Sequence, residues 1–575
     1  MIKKYPSILA FLFGLFGITT AVAQTQPLPF TFNWNDKYQN TTSNGYSNEG
    51  RKIVVNPSNG FIYILSDVTS DLDPGGISNG QTNSYTVLLQ YEPSGSLLNS
   101  QIIDVGVHTI SGFDRSSAFG LELDATGNVY VGYNTSDSAT SYDVNISKFT
   151  ANLASVWTYT FNPTSSDYGV DMKVNSAGTA YALVKSIGTG GAIRYRIIRA
   201  SAAGSATTVY FNFTINPDYF SSMALDASSN IYLAGYRQAI TPGSTKLITL
   251  ASVTGTGTQG ALRWSQLDNC GTVTGDDIAK HIVIGADGNV YITGSSVGSA
   301  QHGLDAVTMK FSSVNGKKLW ENFINFTLND GAFFVGNPDL NTVNVAWSSG
   351  SVVYLEQINP STGLFIRRSG YSPTPASPYT SLGPATITGM ASSVGRNVYM
   401  TGTIAANAAG FNFDAGWLVK FNFSSRGGAR IENVAPIEGT SNQSKRSVGI
   451  ALDNVNTTIY WIRDIAETHA NHQQEKVEIS SMDGTGSFRM DQSNDQETEE
   501  SRIWFENPVS QQINIGSIDE MVLIRITDIS GKTIHNSTQT TNYQTIDLNS
   551  LPSGLYNLLV VHNDGFTTNK QFIKH

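Results

Sequence analysis

Asp167, Asp218 and Asp277 each stand fourteen residues ahead of a tyrosine, namely Tyr181, Tyr232 and Tyr291. Carboxylates that recur at one register position can converge, and a converged set can hold calcium or accept hydrogen bonds from sugar hydroxyls. Tyr168 and Tyr219 follow two of the three aspartates and offer flat faces for stacking. Two of these acids about 5 to 10 Å apart would also suit glycoside hydrolysis, provided one is held protonated and the other ionised. The plainer role is local, because an aspartate can cap its own turn and a repeated turn repeats its residues. Asp167, Tyr168, Asp218, Tyr219 and Asp277 are therefore the candidate ligand-binding set. No catalytic residue is assigned and no cofactor is expected, calcium being the one ion this chemistry admits.

Other arrangements that resemble chemistry lack the context it needs. Gly76-Ile77-Ser78-Asn79-Gly80 and Gly294-Ser295-Ser296-Val297-Gly298 fit the nucleophile-elbow pattern, which requires a strand-to-helix turn and a paired histidine. With 54 glycines in the chain, such matches arise by chance. Gly255-Thr256-Gly257-Thr258-Gln259-Gly260 spells a dinucleotide fingerprint, but no helix follows to hold a pyrophosphate, so it reads as a hairpin loop. His469 and His472 have metal-ligand spacing without a third ligand. Asp71-Leu72-Asp73 has the carboxylates of a calcium loop without the rest of that loop.

The elements that must position the aspartates form a repeat. An apolar-alternating strand, a small-residue turn and a second strand opening x-Tyr recur from about residue 48 to 490. Leu121 to Gly132 and Ile282 to Gly294 are the clearest copies, with others around Tyr181, Tyr232 and Tyr460 and weaker ones at Tyr63, Tyr354 and Tyr399. Successive tyrosines are 67, 51, 51, 59, 63, 45 and 61 residues apart. Two further strands follow each pair, as in Ala306 to Phe311 and Lys318 to Trp320. Four strands per unit at this period predict an all-β fold, a β-propeller of eight blades with seven as the alternative. The tyrosine is expected to pack between blades with its hydroxyl wet at the edge. Ring closure falls to Phe30-Thr31-Phe32-Asn33-Trp34 or to Ser487-Phe488-Arg489-Met490. The repeat resembles the SBBP family of β-propeller repeats, best at Asp287-Gly288-Asn289-Val290-Tyr291-Ile292-Thr293-Gly294.

The two ends of the chain speak of export. Lys3-Lys4, the apolar run Ile8 to Ile18 and Ala21-Val22-Ala23 form a secretory signal peptide over residues 1–23. The propeller is expected over 24–490, an acidic linker over 491–503, and a small β-sandwich of Ig-like form over 504–575. Asn507-Pro508, Asp528-x-Ser530-Gly531-Lys532, Leu548-x-x-Leu551-x-x-Gly554-x-Tyr556 and Lys570-x-Phe572-x-Lys574 resemble the type IX secretion system C-terminal sorting domain. That resemblance implies passage across the outer membrane of a Bacteroidetes-type bacterium, with the type IX machinery as a partner and a secreted or cell-surface destination. A single cysteine, Cys270, excludes an internal disulfide framework. The net charge of −10, with no basic cluster, argues against a nucleic-acid partner. No segment beyond the signal peptide is apolar for long enough to span a bilayer as a helix. These features suit a monomeric binding or adhesion scaffold for glycans or proteins. A polysaccharide lyase or glycosidase at the propeller mouth is the enzymatic alternative, and a purely structural surface protein is the third.

Overall fold

The computed structural model describes residues 28–574, apart from 484–502 and a set of loops that includes 39–45, 72–80, 110–116 and 435–442. The signal peptide, most of the acidic linker, Ser487–Met490, Ser78 and Asp73 lie outside the described residues. Among the described residues there is no α-helix; six four-stranded meanders are followed by a ten-stranded sheet in which the strands of two further blades meet at a parallel contact between Ala415 and Lys445. Their innermost strands are Tyr46–Val55, Ala118–Leu123, Ser166–Val174, Asp218–Leu225, Ile278–Ile284, Asp330–Gly336, Thr386–Ser392 and Gln443–Asp453. Each packs against the next, and the eighth packs back on the first, which closes a ring of blades.

The N-terminal segment completes that ring. Phe32–Tyr38 is the outer strand of blade 8, pairing antiparallel with His472–Asp483 so that Trp34 faces Ser481 and Tyr38 faces Val477. Joining the two ends of the propeller in one sheet removes an exposed strand edge.

The apolar core is divided among the blade interfaces. One cluster joins blades 2 and 3 through Phe119, Tyr130, Ile146, Met172 and Val184, and another joins blades 8 and 1 through Tyr460, Ile462, Ile64 and Val87. Burying each such side chain contributes about 1.5 to 3 kcal/mol.

The repeat tyrosine is part of a polar clasp rather than a wet edge. The turn before it is held by a carboxylate: Asp124 Oδ1 accepts from the N–H groups of Thr126 and Asn128, and Asp226 Oδ1 accepts from those of Ser228 and Asn230. Gly127 and Gly288 supply the positive φ of the turn, at 82° and 74°. The Tyr130 hydroxyl lies 3.2 Å from Asp124 Oδ2 and 2.9 Å from the carbonyl of Gly178 in blade 3. Trp157, Trp264 and Trp320 on the outer strands each donate an indole N–H to a carbonyl of the following blade, those of Ala202, Ser313 and Pro360.

Blade 6 corrects the repeat assignment. Its second strand is Val343–Ser349, and Asn344 holds the position that tyrosine holds elsewhere. Tyr354 lies on the third strand and stacks on Trp347, with ring centroids 4.1 Å apart at 12°. The C-terminal residues form a separate six-stranded sheet around Ile513, Ile515, Ile526, Leu558, Val560 and Phe572. Tyr556 and Phe572 of the tail motif stack within it, and the Tyr556 hydroxyl donates to Pro552 O at 2.8 Å.

Ring closure depends on a buried acid. Asp464 of blade 8 accepts the Gly50 N–H of blade 1 at 2.7 Å, and a Cβ at Gly50 would stand 3.3 Å from the same oxygen. Burial pushes the Asp464 pKa up to about 7, with Glu49 raising it further while the Gly50 N–H, Arg446 and Arg51 oppose the rise. The folded protein therefore holds this proton more tightly than the unfolded chain does, so stability falls as pH rises from about 4 to about 7 and levels off above. Asp464→Asn keeps the acceptor and removes the charge. Thermal melts across pH 4 to 8 should show the variant gaining stability over wild type toward pH 8, by a few kcal/mol at most; parallel curves would contradict the assignment.

Candidate functional site at the central channel

Strand register puts the three aspartates at one place in their blades. Asp167 lies opposite Ser186 and Asp218 opposite Arg237, while Asp277 immediately precedes Ile278, whose partner is Ser295. Asp330 of blade 6 takes the same place, opposite Ser349. Counting from Tyr354 conceals it in the sequence, whereas counting from Asn344 finds it.

The carboxylates described in this row are enclosed. Asp167 is fully buried and accepts from the hydroxyl of Ser186. Asp277 is 1% exposed and accepts the Cys270 N–H at 3.0 Å, and burial raises its pKa above the usual carboxylate range. The side chains of Asp218 and Asp330 lie outside the described residues. Tyr168 and Tyr219 are half-buried. Tyr168 lies against Tyr142 with centroids 4.7 Å apart, and Tyr219 stacks on Tyr236 at 4.8 Å and 10°. Among the described residues, no three histidine, cysteine or acidic side chains come together to hold a metal ion. Ser296 is buried in mid-strand, Gly255–Gly260 spans a hairpin connection, and His469 pairs with His472 across a hairpin.

Four residues further along the innermost strands, about 13 Å away, a second row brings chemistry together. Lys52, Asp171 and His281 share one register position, opposite Leu65, Leu183 and Thr293. Asp171 Oδ1 accepts the Met172 N–H at 2.8 Å, and Oδ2 accepts the Met223 N–H of blade 4 at 2.9 Å. Lys173 donates to Glu122 of blade 2 at 2.6 Å and lies 3.5 Å from Asp171. His281 Nδ1 accepts the Val335 N–H of blade 6 at 3.3 Å, and the ring meets Phe334 edge-on at 5.2 Å. Burial lowers the His281 pKa to about 4, and the charges of Asp171, Lys173 and Lys52 also act on it. The imidazole is therefore neutral at pH 7, with its proton on Nε2. Lys280 occupies a bulge beside it, 4.6 Å from the Phe333 ring centre.

This row was missed because its residue types differ from blade to blade. Gly120, Ser222, Phe334, Gly389 and Gly449 fill the same position in the other blades. Only the strand register links Lys52 to Asp171 and His281. Asp171→Ala would orphan two backbone N–H groups and take one carboxylate from Lys173. It should destabilise the propeller by about 1 to 3 kcal/mol in denaturant titration, and Asp171→Asn, which retains an acceptor, by less; equal and negligible costs would contradict this geometry.

Three solved structures to which the chain is similar are a protein of unknown function from Dyadobacter fermentans, the β-propeller domain of the Trilobed protease from Pyrococcus furiosus, and PorZ from Porphyromonas gingivalis. The first is 9% identical, with 79% of this chain and 99% of that one covered and a TM-score of 0.36. The second is 9% identical over 64% and 96%, with a TM-score of 0.37. PorZ, described as an essential surface component of the type-IX secretion system, is 9% identical over 93% and 100%, with a TM-score of 0.18. No curated protein matches the chain. Residues 504–575 match the family described as the secretion system C-terminal sorting domain, so the protein is exported by the type IX secretion system and is secreted or displayed at the cell surface.

Proposed function

We propose that this protein is a non-catalytic binding scaffold whose ligand, a glycan or protein outside the cell, is held in and above the propeller channel. The observation that carries this reading is the commitment of the channel acids. Asp171 and Glu122 both pair with Lys173, and Asp171 also holds two backbone N–H groups. A glycosidase needs a carboxylic acid kept protonated while facing its substrate. Among the described residues, the acids with raised pKa values, Asp67, Asp277, Glu356 and Asp464, are buried and engaged by Arg51, the Cys270 N–H, Arg368 and the Gly50 N–H. That arrangement supports binding over hydrolysis.

In this reading the Asp167, Asp218 and Asp277 row contributes chiefly through Tyr168 and Tyr219, which give aromatic platforms at the rim, with the buried carboxylates of Asp167 and Asp277 bracing the strands beneath. The likeness of blades 2 and 5 to SBBP repeats supports a scaffold built by duplication, and the sorting domain supports a Bacteroidetes-type host.

Two experiments test the proposal. A glycan array probed with the mature protein should give discrete hits that weaken at least tenfold in Tyr219→Ala, and a polysaccharide panel should yield no products. Hits unaffected by the substitution would remove Tyr219 from the site, and released oligosaccharides would overturn the non-catalytic assignment. Deleting residues 504–575 should leave the protein in the periplasm; its continued appearance at the surface or in the medium would contradict the role given to the tail.

A further inference from the structure

Two cations at the channel make no ion pair among the described residues. Among the described residues, Lys52 is exposed with no carboxylate partner, and Lys280 is exposed with only the Phe333 ring against its ammonium. Neighbouring cations are matched: Arg51 with Glu49 and Asp67, Lys173 with Glu122, Lys246 with Asp276, and Lys318 with Asp268 and Glu321. In a chain of net charge −10 there is no shortage of acids to pair with them.

Blades 1 and 5 are opposite one another in a ring of eight, which sets the Lys52 position across the channel from Lys280 and His281. The influence of the Lys52 charge on His281 agrees with that placement. With Nδ1 engaged by Val335, the imidazole offers one donor, its Nε2–H. Glu122 and Asp171 exceed the Lys173 they pair with by one negative charge, and Lys52 and Lys280 add two positive ones, so these five groups carry an excess of one positive charge. A single anion would balance it. The half-buried Phe333 ring beside Lys280 adds a flat apolar face of the kind that pyranose C–H groups pack against.

We infer that the channel recognises the carboxylate of an acidic sugar, held between Lys52 and Lys280 with a hydrogen bond from His281 while the sugar ring lies on Phe333. This rests on the binding role proposed above and specifies its ligand as a uronate. Two lysines on opposite walls select charge, and the neutral imidazole orients one oxygen without adding a charge of its own.

Calorimetric titration of the mature full chain with uronate trisaccharides, each beside its carboxyl-reduced counterpart, tests the inference. At least one uronate should bind ten or more times more tightly than its neutral counterpart, with affinity falling as salt is raised. Lys52→Ala and Lys280→Ala should each weaken it about tenfold while leaving the melting temperature unchanged, because neither lysine holds the fold together. Equal affinity for charged and reduced sugars would overturn charge recognition while leaving the scaffold reading intact. So would uronate binding that survives the double substitution. Failure of every uronate to bind also overturns the inference, and the glycan array then decides the scaffold reading separately.

Discussion

The innermost strand of each blade is a sheet edge, and its inward backbone N–H groups have no neighbouring strand to pair with. The propeller satisfies them with side chains from the preceding blade. Gly50 N–H donates to Asp464, Ala118 N–H to Asp67 at 3.1 Å, Gly169 N–H to Asn134 at 2.8 Å, and Ser447 N–H to Thr403 at 3.0 Å. All four acceptors stand four residues beyond the repeat tyrosine on a second strand. Where that position holds Lys185 or Ser295, the task passes to the innermost strand, and Asp171 serves Met223 as His281 serves Val335. An unpaired buried N–H would cost about 1 to 3 kcal/mol at each interface. The same bonds fix how far one blade is rotated against the next.

This constraint explains why the channel is lined as it is. Asp171 and His281 are polar because the neighbouring backbone requires an acceptor, and their engagement leaves Lys52, Lys280 and the imidazole Nε2–H as the groups turned toward a visitor. It also explains the buried acids: Asp67 and Asp464 keep raised pKa values because their places lie between sheets, where water cannot follow. The tyrosine and tryptophan clasps do the corresponding work at the far rim, so the interface of blades 2 and 3 is held at both ends with an apolar cluster between.

Much of this fold was legible in the sequence because the turn chemistry repeats. Glycine turns with a following tyrosine mark blades 2 and 5 plainly, and Phe30 to Trp34, one of the two segments expected to close the ring, overlaps the strand Phe32–Tyr38 that pairs with blade 8. Blade 6 was misread because Asn344 stands where a tyrosine was sought, and the aromatic Tyr354 lay close enough to substitute for it. With Asn344 in place, the uneven tyrosine spacings of 63 and 45 become 53 and 55. The enclosure of Asp167 and Asp277 could not be read from periodicity, which gives register along a strand and not whether a position faces solvent or a neighbouring sheet. The channel row was hidden for another reason. Its members share a place and not a residue type, so no repeat search would join a lysine, an aspartate and a histidine.

The central claim is that side chains from one blade seal the channel edge of the next. Amide hydrogen exchange on the folded protein tests it most directly, read at Gly50, Ala118, Gly169, Met223 and Val335. These five amides should exchange as slowly as the paired amides of their own strands. Exchange at the rate of open backbone, with the strand ladders still protected, would contradict it.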